Sequence, residues 1–342
     1  MCRYAASVAS RERLSEIDFI KAAAIVAVVF THAGPAPWQP TYAPLDLALR
    51  YSWTSFQVPA FLLVAGFLYQ RPGALPWREA VQRLRRILIP YAIASCVAYW
   101  MGFWNPASLR EALHQLVTVQ TLGIYYFIRM LALCVAASWP LSRLAPGALA
   151  RTLAVIAFAV AASGIYGKIM WLGYVVPPYT GISVLEITDF VLYPLTYFLI
   201  GWVAASFRAR LSAQSERFEA YLLAAGLTGI VCWIAAAPTY ETLIPFVGVA
   251  RALYSLAVVG VLAITTRRWR VPAVILFLSE ASLGIYLYHV LFEASLAPRV
   301  AAWSPLLRIS TCVVVDLAGG AAVCLLARRL LGARLARTLV GA

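Results

Sequence analysis

Apolar runs of about 17 to 25 residues, enough to cross a hydrocarbon core about 30 Å thick, recur along this chain and restrict its fold more than any motif does. Ten can be placed, centred on 17–36, 52–70, 88–105, 122–142, 150–168, 187–206, 219–237, 245–264, 272–294 and 307–327. Inside a bilayer the backbone finds no water, so such runs must be helical. The expected fold is an all-α polytopic membrane protein of about ten transmembrane helices, with residues 1–342 forming one membrane domain. Composition agrees, with 63% of residues hydrophobic and 12% charged, where a soluble domain has about 25% charged. Mean hydropathy is +0.80.

A formal net charge of +14 would suit nucleic-acid binding, but its placement points elsewhere. Most of the basic residues sit in alternate loops: Arg3, Arg11 and Arg13 in the N-terminal segment 1–16; Arg71, Arg78, Arg83, Arg85 and Arg86; Arg143 and Arg151; Arg208, Arg210 and Arg217; Arg267, Arg268 and Arg270. Arg328, Arg329, Arg334 and Arg337 follow in a basic C-terminal tail, 328–342. The intervening loops hold only Arg50, Arg110, Lys168, Arg251, Arg299 and Arg308. That asymmetry predicts cytoplasmic termini on a multi-pass protein of the cell (inner or plasma) membrane, with lipid as a partner and no nucleic acid. Residues 1–16 are too polar for a signal-peptide core, so the first run is expected to stay as a helix. The six cysteines have no paired spacing, which suggests neither a disulfide framework nor a metal site.

Function must then come from polar groups at membrane depth, which are costly to keep. In "IDFIKAAAIVAVVFTHAG" (17–34), Lys21 and His32 are eleven residues apart. At about 100° and 1.5 Å per residue they share one helix face, roughly 16 Å apart, with Asp18 on the same face. Such a face offers a cation at one interface, where a phosphate could dock, and a titratable imidazole deeper in. The same residues also fit a plain reading, with Asp18 and Lys21 as an interfacial ion pair and His32 bonded to a neighbouring helix. A second stripe, Ser282, Tyr286, His289 and Glu293, runs at i, i+4, i+7 and i+11 along the ninth run. Arg129 lies about two turns into the fourth run, too deep to snorkel easily, so it needs an anionic or carbonyl partner. His114, in the amphipathic stretch "REALHQLVTVQ", reads as a surface residue.

Several of these segments occur together in one known family. A basic residue, ten residues and then His in the first run resembles the opening signature of the acyltransferase 3 family of multispanning membrane acyltransferases. "QVPAFLLVAGFLY" (57–69) is similar to its second-span pattern, and "RLRRILIPY" (83–91) to the basic run before its third, with Arg83 and Arg86 at R-x-x-R spacing. "GIYYFIRML" (123–131) is a looser match to the opening of the fourth span, and "LSEASLGIYLYHVLF" (278–292) resembles the late "S-LGIYLLH" segment. The chain departs from the family in having Lys21 where arginine is usual, which removes a planar bidentate fork, and Ala65 where serine is usual.

The resemblance implies a membrane O-acyltransferase that moves an acyl group, commonly acetyl from cytosolic acetyl-CoA, to a hydroxyl of a glycan or lipid-linked glycan acceptor. Acyl-CoA would be a co-substrate, with no tightly bound cofactor and no metal. His32 would be the general base, with Lys21 as its catalytic companion. Lys21, Arg83 and Arg86 would meet the CoA phosphates, while Arg129, Ser282, Tyr286 and His289 would contact substrate. Two other classes use similar residues. A transporter or exporter of a glycan intermediate would also carry polar stripes, but no matching halves or paired broken spans are visible. A haem carrier would take His32 and His289 as axial ligands.

Overall fold

A computed structural model describes residues 13–33, 53–70, 73–145, 147–149, 151–153, 155–156, 191–206, 216–236 and 247–342. Every regular element among them is helical, and none of the described residues forms a strand. Helix α1 spans Ser15–His32. A 3-10 turn, Thr54–Phe56, leads into α2, Gln57–Tyr69, and α3 covers Trp77–Trp100. The short α4, Leu109–Val117, precedes a 3-10 turn, Gly123–Tyr125, and α5, Tyr126–Leu141. Then come α6, Tyr193–Ser206, α7, Glu216–Ala236, and α8, Val247–Thr266. The last three are α9, Ala273–Glu280, α10, Ser282–Val300, and α11, Pro305–Leu339.

Gly123–Leu141 and Pro305–Leu339 are long and apolar enough to cross a membrane, and α9 with α10, bent by 79°, makes a third if counted as one span. Against the ten runs read from the sequence, these are the stretches among the described residues that qualify by length and composition. Helix α1 is 18 residues long but carries Glu16, Asp18 and Lys21. The stretches Thr54–Tyr69 and Ala252–Thr266 are apolar but shorter. The fifth expected span, 150–168, lies largely outside the described residues.

Three boundaries differ from the sequence reading. Helix α3 begins at Trp77 rather than near 88, because the Arg-, Glu- and Gln-rich stretch before the apolar run is itself helix-prone and continues into it. The ninth run breaks at Ala281 instead of passing straight through, and polar contacts to other helices hold Ser279 and Glu280 on the near side of that break. The expected C-terminal tail is helical to Leu339. Gly332, at φ 76, allows a bend there that an L side chain would resist. Beyond the bend the chain returns to the bundle, where Gly284 N donates to Gly341 O at 3.2 Å and Ala336 is fully buried.

The core is built by close helix pairs. Ile20, Ala24 and Ala27 of α1 pack with Phe56, Ala60, Val64 and Tyr254, and because Thr31 at the end of α1 bonds to Gln57 at the start of α2, the two packed helices run antiparallel. Helices α2 and α6 touch backbone to backbone: a Cβ on Gly66 would collide with the Phe198 carbonyl oxygen, and one on Gly201 with the Leu63 carbonyl oxygen. Helices in an apolar medium gain from such close approach, since packing rather than water exclusion holds them. On α11, Gly319 makes room for the Phe292 ring of α10, 2.6 Å from where its Cβ would stand, and Gly320 approaches the α10 backbone, 3.2 Å from Ile285 Cα.

Gly66→Ala is expected to destabilise the fold by about 1–3 kcal/mol, the usual cost of overpacking. Gly260→Ala, whose Cβ would meet nothing within 4 Å, should leave thermal stability unchanged or slightly raised. Melting midpoints of the two variants in the same detergent test this, and equal midpoints would remove the α2–α6 contact as a stabilising feature.

Candidate active site

Helix α10 carries the polar stripe inward. Ser282, Tyr286, His289 and Glu293 are 5%, 4%, 0% and 8% exposed, so the face expected to line a cavity or meet a helix is buried. His289 Nδ1 lies 2.7 Å from the Tyr286 carbonyl oxygen and 3.2 Å from that of Ile285. Carbonyls only accept, so Nδ1 carries the proton and Nε2 presents a lone pair. Nε2 is buried and has no hydrogen-bond partner among the described residues.

The ring facing His289 is His32. Their centroids are 5.5 Å apart with the planes tilted by 45°. His32 is the last residue of α1 and is half-buried. Beside it, Thr31 Oγ1 lies 2.8 Å from Ala27 O and 2.9 Å from Gln57 Oε1, which ties the end of α1 to the start of α2. Two tyrosines fix α10 from the other side. Tyr125 OH donates to Leu287 O at 2.8 Å, and Tyr286 OH donates to Ile124 O. These reciprocal bonds clamp the entry of α5 onto the turn of α10 that precedes His289.

The opposite end of α1 is held by a second polar cluster. Asp18 is buried and accepts from Arg13 Nε at 2.7 Å, Arg13 Nη2 at 3.3 Å and Ser279 Oγ at 2.6 Å. Glu280 accepts from Arg13 Nη1 at 3.1 Å and Arg328 Nη2 at 3.3 Å. Ser15 Oγ is 2.9 Å from both Thr266 O and Arg267 O. The plain reading of Asp18 as the ion-pair partner of Lys21 is thus replaced, because the planar fork of Arg13 grips both carboxylate oxygens where a point-charge ammonium would grip one. Lys21 is half-buried above this cluster, with Asp18, Glu280, Arg13 and Arg337 as its charged neighbours.

The arginines of α3 lie beside Tyr69 at the end of α2. Arg83 donates to Tyr69 O at 3.2 Å and Glu79 Oε1 at 2.6 Å, with its guanidinium 4.6 Å from the Tyr69 ring centroid. Arg86 is exposed. Helix α3 packs on α5, α10 and α11, whereas a packed α1–α3 pair, which would join these arginines to Lys21, is not formed among the described residues. The basic side chain that α11 brings towards Lys21 is Arg337, from the segment expected to be a tail. Arg129 is half-buried in the first turn of α5, and His114 is exposed on α4.

The structure also adds residues that sequence reasoning passed over. Asp316 of α11 is fully buried and faces Glu293 of α10, with Cys312 and Arg308 one and two turns before it. Tyr125, Gln57 and Ser279 hold the histidine-bearing helices. An aspartate within the apolar "VVVDLAGG" was the visible signal for the first; the others look ordinary until their partners are known. Among the described residues no group of three or more His, Cys, Asp or Glu side chains could hold a metal ion. The described cysteines, Cys96, Cys134, Cys312 and Cys324, are free thiols. What the arrangement offers chemically is a pair of imidazoles, one carrying an open nitrogen lone pair, at the far end of a helix from a cationic cluster.

Comparison with known proteins places this geometry in context. A family model described as an acyltransferase domain, that of the acyltransferase 3 family, matches residues 14–325, nearly the whole chain. No curated protein and no solved structure matches.

The Asp18–Ser279 contact should show energetic coupling. Asp18→Asn and Ser279→Ala, alone and together, are expected to give an interaction energy within about 0.5–3 kcal/mol. Additive losses in a denaturation series of the four proteins would show that the bond does not tie α1 to the α9–α10 break.

Proposed function

Since the chain belongs to the acyltransferase 3 family, we propose that it is a membrane O-acyltransferase moving an acetyl group from cytosolic acetyl-CoA to a hydroxyl of a cell-surface or exported glycan. The observation that carries this reading is the contact between His32 and His289. An alcohol is a weak nucleophile at neutral pH, and an imidazole within hydrogen-bonding reach takes its proton as the oxygen attacks the thioester carbonyl. His32 is the base in this scheme. The new C–O bond forms as the C–S bond breaks, and the departing thiolate of CoA takes up the proton. His289, with its neutral Nε2 turned into the buried site, orients the hydroxyl or His32 itself.

Lys21 supports the donor half of the reading. It lies about 16 Å along α1 from His32 by helix rise, which suits the long arm between the phosphates and the sulfur of CoA. Arg337 and Arg13 add positive charge on the same side, while Arg83 and Arg86 stand at the end of α2. By the positive-inside rule this basic end of the bundle faces the cytosol, and the histidine end faces the acceptor. Ser282, Tyr286 and Arg129 are the residues nearest in role to acceptor binding in this scheme.

Membranes containing the protein, given radiolabelled acetyl-CoA, are expected to pass label to glycan. His32→Ala should abolish this, and His289→Ala should lower kcat by about a hundred-fold. Movement of glycan across the membrane with no label incorporated would instead favour an exporter. Lys21→Arg is expected to keep a near-normal KM for acetyl-CoA while Lys21→Ala raises it; equal KM values in both variants would remove Lys21 from donor binding.

A further inference from the structure

Helix α4 takes no part in the chemistry above. Its nine residues rise only about 13 Å, too little to cross a membrane, yet both of its ends are fixed. At the start Ser108 Oγ accepts from Glu111 N at 3.2 Å. At the end Gln120 N donates to Gln115 O at 2.7 Å, a return that the left-handed backbone of Val119, at φ 57, makes possible. A β-branched side chain resists that conformation, and Val119 holds it buried in the core. Ala112 and Leu116 pack inward, and Tyr91 OH donates to Leu116 O at 3.3 Å. The Glu111 carboxylate accepts from Ala107 N at 2.8 Å and from Gln115 Nε2 at 3.0 Å.

The opposite face is open. Leu109, Leu113 and Val117 are 76%, 54% and 80% exposed and, at about 100° per residue, fall within an arc of roughly 80°. Arg110 and His114, also exposed, border that stripe along one side. An apolar stripe with a basic edge is the profile of a helix lying in a membrane surface, its apolar side chains among the acyl chains and its polar edge level with the phosphates. The flanking helices put α4 at that depth. Helix α3 has exposed aromatic residues at both ends, Trp77 at one and Tyr99 with Trp100 at the other, separated by about 34 Å of helix rise. Tryptophan and tyrosine gather at the two faces of a bilayer, and α4 follows the second group, ahead of the apolar Gly123–Leu141. We propose that α4 binds anionic phospholipid along this face, with Leu109, Leu113 and Val117 among the acyl chains and Arg110 and His114 donating to headgroup phosphate. This contact needs no acyl transfer to occur.

The test uses the whole chain with Leu113→p-benzoylphenylalanine, a photoreactive side chain at the centre of the open face, in vesicles of equal parts phosphatidylglycerol and phosphatidylcholine. Irradiation is expected to give phospholipid adducts, read by mass spectrometry. Phosphatidylglycerol adducts should exceed those of phosphatidylcholine by about five-fold, the gain for one basic residue at an anionic surface. Adding Arg110→Gln and His114→Gln should bring the two lipids to equal yield with the melting midpoint unchanged. Cross-links to a second copy of the chain, or to another segment of the same chain, in place of lipid overturn the proposal, and so does the absence of any adduct. Equal yields of the two lipids before the double substitution, or an excess of phosphatidylglycerol that survives it, overturn the recognition of anionic headgroups by Arg110 and His114. Acyl transfer is not measured, so failure here leaves the proposed function standing, and failure of that function leaves this result readable.

Discussion

The bond network around Asp18 is the constraint on which the site depends. In an apolar surrounding an ionised carboxylate must be neutralised and hydrogen-bonded, or it unfolds what contains it. Asp18 meets that need with partners from outside its own helix face, Arg13 before α1 and Ser279 at the end of α9. The start of α1 is thereby fixed to the break that precedes α10. At its other end α1 meets α10 through His32 and His289. Two contacts at separate heights hold α1 against both arms of the bent α9–α10 pair, which a single contact cannot do. Neighbouring polar bonds act in the same direction: Tyr125 and Tyr286 hold the turn before His289, and Thr31 with Gln57 holds the residue before His32.

Small residues provide the other half of the positioning. Gly66 and Gly201 bring α2 and α6 into backbone contact, while Gly319 and Gly320 bring α11 onto α10. Larger side chains at these points would push the helices apart by more than a hydrogen bond can bridge, and the polar pairs would separate. Glycine costs helix propensity at each of these positions. That cost is offset by dispersion contacts along the interface and by charge-assisted bonds such as Arg13 to Asp18, which need short distances.

What the sequence made legible follows its local periodicities. Helical class, the shared face of Lys21 and His32, and the stripe from Ser282 to Glu293 all depend on residues within one run, where spacing translates directly into direction. The pairings between runs had no such signal. Nothing local says that His32 meets a residue 257 positions later, that Asp18 is taken by Arg13 instead of Lys21, or that α3 packs away from α1. The basic end of the chain is a related case: "ARRLLGARLARTL" is rich in good helix formers, and Gly332 turns the helix back to the bundle, which its arginines alone do not signal. Asp316 is the instructive omission. A lone aspartate in an apolar run is itself a signal, but the partner it meets, Glu293, is fixed only by how α11 packs on α10.

The buried polar groups fall into two populations. Asp18, Thr31, Tyr125 and Tyr286 are bonded to neighbours and lie where helices are joined. His289 Nε2 and the Asp316 oxygens are buried without a donor or acceptor of the ordinary kind among the described residues. Leaving such a group unsatisfied costs roughly 1–3 kcal/mol, a cost that an apolar side chain of similar size would not carry. A chain shaped for stability alone would have no use for this exception. His289 and Asp316 are on the adjacent helices α10 and α11, but Trp139 Nε1 of α5 is a further buried atom without a partner among the described residues. Unsatisfied polar atoms therefore occur at more than one place, and what sets His289 apart is the second imidazole, His32, packed beside its ring at the end of α1.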